Sequence, residues 1–365
     1  MEYGQSKRFL DSLADWEVGR PAGGPVEHNL PRTRHLLAEL GNPEASFRSV
    51  IVGGTNGKGT TASFLAHLLK ASGNRVGLYT SPHLHSIRER VQVDGKPLER
   101  EVWADAVSHL QHISFRFEEA GFGAFTKFEA LTALAALQFK KDNVDFGIFE
   151  VGLGGRYDAT NAWDSELSVL TSVDLDHTEI LGNTLQEIAR DKLQITRPGC
   201  PLFTPEQHAP AVREVIASVC ESRSVPVVWV NPVSQDRPSN VPEWMIRNQG
   251  LAMSIAQHLV GDEVDLSAAI ATYEWPGRCE VGSESPLVIL DGAHNPAAAR
   301  ALVDHLRSTD GAWRFVVGAS QGHGARGMIE ALAPLASEFI LTSSEHPRAV
   351  EAHTLADFVP EGIAK

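Results

Sequence analysis

The sequence predicts an α/β protein in which a parallel sheet carries helices on both faces, followed by a smaller Rossmann-like α/β domain. Three observations favour this fold. Strand-like and helix-like runs alternate, a glycine-rich turn joins the first of these strands to a helix, and the alternation resumes near residue 287. The 365 residues, 42% of them hydrophobic, suffice for two domains with a sizeable core.

Strand-like runs recur at intervals suited to βαβ units, at Ser49–Gly53, Arg75–Tyr79, Asp145–Val151, Leu167–Val173 and Pro201–Thr204. Helix-like segments separate them, including Ala62–Ala71, Glu101–Glu119 and Phe128–Lys140. This alternation is typical of a parallel sheet covered by helices. A small hairpin is predicted where Arg88–Val93 and Pro97–Leu98 flank Asp94-Gly95.

The turn after the first strand predicts a phosphate site. Residues 50–61 read VIVGGTNGKGTT, and an apolar helical pattern follows. Backbone N–H groups and the helix dipole favour an anion at such a strand–turn–helix junction. Lys58 would act as a point charge on the phosphates, and Thr60 or Thr61 would offer a hydroxyl to Mg²⁺. The alternative, a plain glycine turn with an exposed lysine, fits the agreement of strand, turn and helix signals less well.

The second α/β unit is predicted from its own alternation of elements. These are a strand at Leu287–Leu290, a helix at Ala297–Arg307, a strand at Arg314–Val317, a helix at Gly327–Leu335 and a strand at Phe339–Thr342. The proline-rich stretch Asn231–Pro242 is predicted to be a loop.

Composition excludes several classes of protein. The net charge of −14 argues against broad nucleic-acid binding through a basic surface. No apolar run is long enough to span a membrane, and the N-terminus lacks a signal-peptide core. The three scattered cysteines fit neither a disulfide framework nor a metal site. We therefore expect a cytoplasmic protein.

The glycine turn also resembles a known family. Gly54-Thr55-Asn56-Gly57-Lys58-Gly59-Thr60 is similar to the ATP loop of folylpolyglutamate synthase and dihydrofolate synthase, members of the Mur ligase superfamily. The common P-loop pattern has a glycine where Val52 stands and none at Gly59, and Gly59 is what sets the folate branch apart. Further motifs follow in the family's order, at residues 80–84, 149–161, 176–178, 191–192, 275–278 and 291–296.

The resemblance implies an ATP-dependent amide ligase. ATP would phosphorylate a carboxylate, and L-glutamate would then attack the acyl phosphate, with dihydropteroate, a reduced folate or both as acceptor. Residues 1–280 would form the ATP-binding domain and residues 281–365 the glutamate-ligase domain. The implied cofactors are ATP and Mg²⁺, the partners are small molecules only, and we expect a monomer.

The resemblance also implies the residues that bind the nucleotide. They are Gly54, Thr55, Asn56, Gly57, Lys58, Gly59, Thr60, Thr61, Asn248, Arg278 and Asp291. Lys58, Lys192 and His294 would act in catalysis, and His294 would lie near the incoming glutamate. The implied substrate contacts are Phe128, Arg156, Asp158 and His294, with Asp158 accepting hydrogen bonds from the pterin amino group.

The implied metal ligands are Thr60, Ser81, Glu150, His177 and Lys192, the last as a carbamate. Glu150 ends an apolar strand beside the phosphate loop, where ligands bind in open α/β sheets. Each ligand has a plainer alternative. Glu150 would pair with Arg156, His177 would be an ordinary loop histidine, Ser81 a turn residue and Lys192 a solvated helix lysine. Asn295 is predicted to cap the helix that begins at Pro296.

Two departures from the family pattern leave alternatives open. Gln321–Arg326 stands where the family has Asp-Lys-Asp, and the sequence stops at Lys365, about one βα unit short of the family's second domain. The shortening would leave a sheet edge less covered than usual. The alternatives are a cell-wall Mur ligase, a P-loop switch, and a non-catalytic relative that binds ATP or pterin without a complete glutamate site.

Overall fold

The computed structural model describes residues 1–15, 17–18, 29–119, 121, 123–206, 208–231, 241–261, 266–309 and 311–365. Most of the predicted loop Asn231–Pro242, residues 232–240, lies outside the described residues. The helices are α1 Tyr3–Ser12, α2 Asn29–Glu39, α3 Lys58–Ala71, α4 Arg100–Glu119, α5 Lys127–Lys141, α6 Thr178–Leu181, α7 Leu185–Lys192, α8 Pro210–Ser222, α9 Glu243–Val260, α10 Ser267–Ala271, α11 Pro296–Leu306, α12 Ala325–Leu332 and α13 Ala352–Ala356.

The strands are β1 Arg48–Gly53, β2 Val76–Tyr79, β3 Val91–Val93, β4 Lys96–Pro97, β5 Phe146–Glu150, β6 Leu167–Leu170, β7 Leu202–Pro205, β8 Val227–Val230, β9 Glu280–Glu284, β10 Leu287–Leu290, β11 Trp313–Val317 and β12 Ala336–Leu341. Short 3-10 helices lie at Pro43–Ser46, Ile87–Arg90, Ala159–Asn161, Leu193–Ile195 and Ala333–Leu335.

The chain divides into two compact units. The first comprises Met1–Val173, Ala189–Pro232 and Asn248–Tyr273, and the second comprises Asp174–Ile188, Val233–Arg247 and Glu274–Lys365. The main change of unit thus falls at Glu274, close to the predicted boundary between residues 280 and 281. That domain division stays a prediction.

A single mixed sheet organises the first unit. Its strand order is β4-β3-β2-β5-β1-β6-β7-β8, with β2, β5, β1, β6, β7 and β8 parallel. The predicted parallel sheet is therefore confirmed. The hairpin is confirmed too, although its first strand begins at Val91, because the 3-10 helix Ile87–Arg90 takes up the preceding residues.

The parallel register brings three strand ends together. β1 lies between β5 and β6, and β5 also pairs with β2. Parallel strands present their carboxyl ends at one edge, so the residues after Gly53 and Tyr79 lie at the same edge as Glu150. β1 lies in the core, because its apolar residues Val50, Ile51 and Val52 are fully buried.

The second unit has its own α/β organisation. β11 and β12 form a parallel pair, and β9 and β10 form an antiparallel pair that the sequence pattern did not predict. Helices α11 and α12 pack their apolar faces into a core with Phe339 and Leu355. Ala364 forms an isolated parallel bridge to Glu338 of β12.

No helix of the described residues is long and apolar enough to cross a membrane. The three cysteines, all within the described residues, are free thiols, as their spacing predicts.

Candidate active site

The glycine-rich turn forms a tight loop between β1 and α3. Gly57 is the N-cap of α3 in the left-handed region, with φ of 84°. Gly54 has φ of 143°, and a Cβ there would lie 1.9 Å from Thr171 Oγ1. The residues after β6 hold the loop, because Thr171 Oγ1 donates to the Asn56 carbonyl at 2.7 Å and Thr55 N–H donates to the Ser172 carbonyl at 2.7 Å.

Lys58 is the first residue of α3, as the sequence predicts for the lysine whose charge acts on the phosphates. Its Nζ donates to the Thr55 carbonyl at 3.1 Å, which folds the side chain back over the loop. The loop therefore presents an ammonium group and a helix N-terminus together, the two features that stabilise a bound phosphate.

Glu150 ends β5 beside this helix. The side chain is 5% exposed, and its Oε2 accepts the Ser81 N–H at 2.9 Å. A Cβ on Gly59 would lie 3.3 Å from Oε2, closer than an ordinary contact, so the lack of a side chain at residue 59 leaves room for the carboxylate beside α3. The structure thus brings together three predicted site residues, Gly59, Ser81 and Glu150.

The donor set at this edge fits Mg²⁺. Mg²⁺ is bound by one or two carboxylates together with hydroxyl, water and phosphate oxygens. Glu150 supplies a buried carboxylate, and Thr60 and Thr61 are buried on α3. The Thr61 hydroxyl is buried without a hydrogen-bond partner, which is the situation of an atom that a bound ion or phosphate would satisfy.

Lys192 is buried rather than solvated. It is 4% exposed, and its Nζ donates to the Gly54 carbonyl at 2.8 Å. The alternative of a solvated helix lysine is therefore wrong. The end of α7 approaches so closely because Gly155 packs on its backbone, where a Cβ would lie 2.7 Å from the Lys192 carbonyl oxygen.

Asn248 lies against the phosphate loop. A Cβ on Gly57 would lie 2.7 Å from both the Nδ2 and the Oδ1 of Asn248, which is 9% exposed. The structure therefore places this predicted nucleotide residue beside the turn that begins α3, from a position 191 residues further along the chain.

Asp158 organises the loop that follows β5. Its Oδ2 accepts the N–H groups of Gly152 and Leu153, both at 3.0 Å, and its Oδ1 accepts the N–H and hydroxyl of Thr160 at 3.0 and 2.6 Å. Burial raises the pKa of this carboxyl, against the effect of those hydrogen bonds. Four donors already occupy both oxygens, so the contact with a pterin amino group stays a prediction.

Two other predicted substrate residues flank that loop. Phe128 packs against Gly152, where a Cβ would lie 2.6 Å from the ring, and its ring lies 5.8 Å from that of Tyr79. Arg156 is exposed, with its guanidinium 5.1 Å from the ring of Tyr157. An aromatic ring and an exposed cation near one loop suit a flat, anionic ligand.

Arg278 and Asp291 lie together in the second unit. The Arg278 guanidinium passes over Gly292, where a Cβ would lie 2.1 Å from Nη1. Asp291 accepts the N–H of Cys279 at 2.9 Å and of Ala293 at 2.8 Å. Burial, with the Asp291 charge and hydrogen bond, raises the pKa of the Cys279 thiol. The contacts of Arg278 and Asp291 with a nucleotide stay predictions.

Three histidines surround a buried aspartate in the same unit. His323 Nδ1 lies 3.0 Å from Asp176 Oδ1, and His294 Nε2 lies 3.8 Å from Asp176 Oδ2. The ring of His177 lies 4.6 Å from that of His323. Burial opposes ionisation of Asp176, but hydrogen bonds from His294 and His323 and the nearby His177 outweigh it and hold the pKa well below its usual range.

Asn295 caps α11 as predicted. Its side-chain oxygen accepts the Ala298 N–H at 2.9 Å, and its Nδ2 donates to Asp176 Oδ2 at 3.2 Å. Sequence reasoning missed Asp176 and His323 as site residues. Asp176 belongs to the family motif at residues 176–178. His323 lies in the segment Gln321–Arg326, which differs from the family's Asp-Lys-Asp, so no motif pointed to it.

Comparisons with known proteins agree with this architecture. A sequence profile described as the Mur ligase glutamate ligase domain matches residues 277–364. The dihydrofolate synthase/folylpolyglutamate synthase of Bacillus subtilis is 33% identical over 376 residues, covering 94% of this chain and 87% of that protein.

Two solved structures are similar to the whole chain. Mycobacterium tuberculosis folylpolyglutamate synthase complexed with ADP has a TM-score of 0.88 at 27% identity, covering 98% of this chain and 85% of that one. The bifunctional folylpolyglutamate synthase/dihydrofolate synthase of Yersinia pestis, complexed with AMPPNP and a Mn ion, has a TM-score of 0.85 at 31% identity, covering 100% and 89%. The resemblance seen in the motifs is confirmed, and the chain belongs to the folylpolyglutamate synthase/dihydrofolate synthase family.

Proposed function

We propose that this chain is an ATP-dependent ligase that joins L-glutamate to the carboxylate of dihydropteroate, of a reduced folate, or of both. The observation that supports this most is the phosphate loop of residues 54–61 with the buried carboxylate of Glu150 against its helix N-terminus. The family supports it as well, since a relative that aligns with most of this chain carries the names of both synthases.

In the first half-reaction, an oxygen of the acceptor carboxylate attacks the γ-phosphorus of ATP. The bond between that phosphorus and the β–γ bridging oxygen breaks, leaving an acyl phosphate and ADP. Lys58 and the N–H groups at the start of α3 stabilise the charge on the phosphate oxygens. Thr60, Ser81 and Glu150 would hold Mg²⁺, which neutralises phosphate charge when bound.

Lys192 is proposed to act as a carbamate. CO₂ would add to the Nζ amine with loss of a proton, converting a cation into an anion able to help hold a metal ion. The burial of Lys192 supports this, because taking an ammonium group out of water is costly. A carbamate nitrogen keeps one N–H, so the hydrogen bond to the Gly54 carbonyl can persist.

In the second half-reaction, the amine of L-glutamate attacks the acyl carbon. The nitrogen loses a proton, and the tetrahedral intermediate then expels phosphate and leaves the amide. His294 is proposed to lie near the incoming glutamate, and Phe128, Arg156 and Asp158 near the acceptor. Asn248, Arg278 and Asp291 are proposed nucleotide contacts, and His177 a metal ligand.

The alternatives from the sequence have less support. Relatives at this level of similarity are named as synthases, and none of the comparisons supports a non-catalytic protein that binds ATP or pterin. The predicted metal ligands Ser81, Glu150 and His177 are more metal chemistry than a switch needs. We propose further that the enzyme works as a cytoplasmic monomer on small molecules, without nucleic acid or membrane.

Phosphate release by the purified full chain tests the proposal. Reactions contain ATP, Mg²⁺, bicarbonate and L-glutamate, with dihydropteroate, tetrahydrofolate or no acceptor. We expect release that requires both the acceptor and glutamate, and the preferred acceptor identifies the synthase. Tight ATP binding without acceptor-dependent release would contradict the ligase and favour the non-catalytic alternative.

A further inference from the structure

Asn161 is a buried side chain to which the proposed ligase reaction assigns no role. It ends the short 3-10 helix Ala159–Asn161, is 4% exposed, and closes the family motif at residues 149–161. A buried amide needs partners for its N–H groups and for its oxygen, so the partners that it finds show what it holds together. For Asn161 these partners come from two separate segments of the first unit.

The amide nitrogen of Asn161 joins the loop after β5, residues 152–158, to the chain that follows α7. We term residues 152–158 the acceptor loop. Nδ2 donates to the Gly155 carbonyl at 3.0 Å and to the Gln194 carbonyl at 3.3 Å. The Arg156 carbonyl, at 3.4 Å, is a further acceptor. One side chain thus bonds to both segments, although Gln194 is 33 positions away in the sequence.

Each of the two segments carries a residue of the proposed reaction. Arg156 is a proposed acceptor contact, and Lys192 is proposed to carry the carbamate. The segments also touch directly, because Gly155 packs on the backbone of Lys192 and the Arg156 N–H donates to Asp191 Oδ1 at 3.4 Å. A shift of one segment against the other would therefore change the distance between the acceptor loop and the Lys192 amine, and the amide of Asn161 opposes such a shift.

Arg197 fixes the orientation of that amide. Its Nη2 donates to Asn161 Oδ1 at 2.9 Å, so the amide presents its oxygen to the guanidinium and its N–H groups to the carbonyls. Nη2 also donates to the backbone carbonyls of Asn161 at 3.0 Å and Trp163 at 2.8 Å, and Nη1 donates to that of Ile195 at 3.3 Å. A planar fork with five N–H donors suits such a set of carbonyls, and a lysine does not reproduce it.

Arg223, the C-cap of α8, holds the chain after Lys192 from another element. Its Nη1 donates to Gln194 Oε1 at 2.8 Å, and its Nη2 donates to the Thr196 carbonyl at 2.9 Å. This segment is thus anchored independently of Asn161. Removing the N–H donors of Asn161 should therefore free the acceptor loop rather than unfold the segment.

We propose that Asn161 and Arg197 are positioning residues that hold the acceptor loop at a fixed distance from the Lys192 amine, and so set how the acceptor lies relative to the carbamate. The proposal rests on the proposed roles of Arg156 and Lys192 and adds two residues that the ligase reaction leaves unassigned. Neither side chain needs to touch a reacting atom. Their effect comes from geometry, because a small displacement of a reacting group is enough to slow a reaction substantially.

The isosteric variant Asn161→Asp tests the proposal. It keeps an acceptor for Arg197 but replaces the N–H donors by an oxygen that faces carbonyl oxygens, which should push the acceptor loop away from residue 194. In the phosphate-release assay we expect kcat/KM for the acceptor to fall ~10–100-fold, the usual cost of losing a residue that supports a metal ligand. The fall should come mainly from a higher KM, and half-maximal stimulation should need more bicarbonate.

Asn74→Asp is the matched control. Its amide also donates to a backbone carbonyl, that of Leu69 at 3.3 Å, but it follows the end of α3 that is opposite to the phosphate loop. This variant should leave the acceptor KM and the bicarbonate requirement unchanged. Arg197→Lys keeps the charge but loses the fork, and should shift both values in the same direction as Asn161→Asp. Urea unfolding checks that each variant is folded.

An NMR experiment with isotopically labelled bicarbonate gives a readout that does not depend on turnover. The full chain is measured with Mg²⁺ but without ATP or acceptor, and the carbamate carbon is the signal that Lys192→Ala lacks. We expect the wild type and Asn74→Asp to reach full signal at the same bicarbonate concentration. Asn161→Asp should need more bicarbonate, because Gly155 no longer holds the backbone of Lys192 in place.

Two results would overturn the proposal. One is an acceptor KM and a bicarbonate requirement equal to those of the wild type in a folded Asn161→Asp, whether or not its stability falls. The other is the absence of a carbamate signal from the wild type. If Asn161→Asp does not fold, Arg197→Lys decides in its place, and unchanged values there would overturn the proposal as well.

Failure of the ligase gives a different pattern. A wild type without acceptor-dependent phosphate release contradicts the proposed function. The NMR comparison contains neither ATP nor acceptor, so it still tests whether Asn161 positions Lys192. The two failures are therefore distinguishable.

Discussion

Lys192 is the residue whose environment differs most from what its local sequence indicates. Helix α7 is short and polar, which favours an exposed lysine, yet Nζ reaches the Gly54 carbonyl inside the protein. The reason is long-range, because the packing of Gly155 against the end of α7 brings the helix to the phosphate loop. A buried amine beside a phosphate loop has chemical consequences that a surface lysine lacks.

Replacing Lys192 by Ala should lower kcat by at least ~100-fold, the usual cost of losing one preorganised charge-stabilising group. If the carbamate forms, bicarbonate should stimulate the CO₂-depleted wild type, and formate should partly restore Lys192→Ala by supplying a carboxylate. Lys141→Ala, which loses only an exposed pair with Asp105, serves as control. Full activity of Lys192→Ala would contradict a catalytic role for Lys192. Activity of the CO₂-depleted wild type that does not change when bicarbonate is added would contradict the carbamate.

Asp158→Asn should destabilise the first unit. The asparagine side chain would have one acceptor oxygen, whereas the carboxylate of Asp158 accepts from N–H groups with both of its oxygens. Some of these N–H groups would therefore lose their partner, and each loss costs ~1–3 kcal/mol of folding stability. Urea unfolding measures the loss. Asp164→Asn, at an exposed carboxylate that pairs with Arg197, should change stability little, and equal stability of the two variants would show that Asp158 is not a structural centre of its loop.

At the level of elements, the start of α3 depends on a glycine that meets a helix distant in the sequence. Gly57 has φ of 84° and lies against Asn248 of α9, whereas Gly73, with φ of 90°, has no neighbouring atom within 4 Å of the place that a Cβ would take. Both Gly57→Ala and Gly73→Ala carry the backbone cost of a left-handed alanine, ~1–2 kcal/mol. The difference between them isolates the contact with Asn248.

We expect Gly57→Ala to weaken binding of a non-hydrolysable ATP analogue at least ~10-fold more than Gly73→Ala, since only the first displaces Asn248 and reshapes the loop. Calorimetric titration of the two variants measures this. Equal affinities would mean that the Gly57–Asn248 contact has no part in nucleotide binding.

Glu17 forms an ion pair with Arg90, the last residue of the 3-10 helix Ile87–Arg90. Arg90 donates to both oxygens of Glu17, at 2.9 and 2.5 Å, and its own side chain is only 3% exposed. Burial opposes ionisation of Glu17, but the hydrogen bond and charge of Arg90 outweigh it and lower the pKa below the ordinary 4.5. The unfolded state therefore binds more protons in this range, and stability falls as pH decreases.

The stability advantage of the wild type over Glu17→Gln should be complete above pH 4.5 and shrink as pH falls through the lowered pKa. Chemical unfolding of both proteins at a series of pH values measures the difference. A constant difference across the acid range would contradict a pair that depends on the ionised carboxylate.

The sequence predicted these elements unevenly, for physical reasons. β1, β5 and α3 were predictable because a buried apolar strand, a glycine turn and a helical apolar pattern are local signals. β9 was not, since its five residues are mostly exposed and only pairing with β10 defines it. At the site, Glu150 and Ser81 could be predicted because they lie in family motifs. His323 could not, because its contact with Asp176 joins residues 147 positions apart in the sequence.

For the molecule as a whole, the charge distribution fits an enzyme for anionic ligands. A net charge of −14 repels phosphates and carboxylates in general, so binding depends on cations placed at specific sites. The first unit supplies Lys58 at a helix N-terminus, and the second supplies Arg278 beside Asp291. Moderate salt should therefore weaken substrate binding less than it would for an enzyme that relies on a broad basic surface.

The central claim is that this chain activates a carboxylate by transferring phosphate to it before the amide forms. The most direct measurement supplies an acceptor whose carboxylate carries a heavy-oxygen label, with ATP and L-glutamate, and follows the label by mass spectrometry. If the acyl phosphate forms, one labelled oxygen appears in the released phosphate for every amide made, because the attacking carboxylate oxygen leaves with the phosphate. Amide formation with unlabelled phosphate would contradict this mechanism, and phosphate release without amide would contradict the ligase itself.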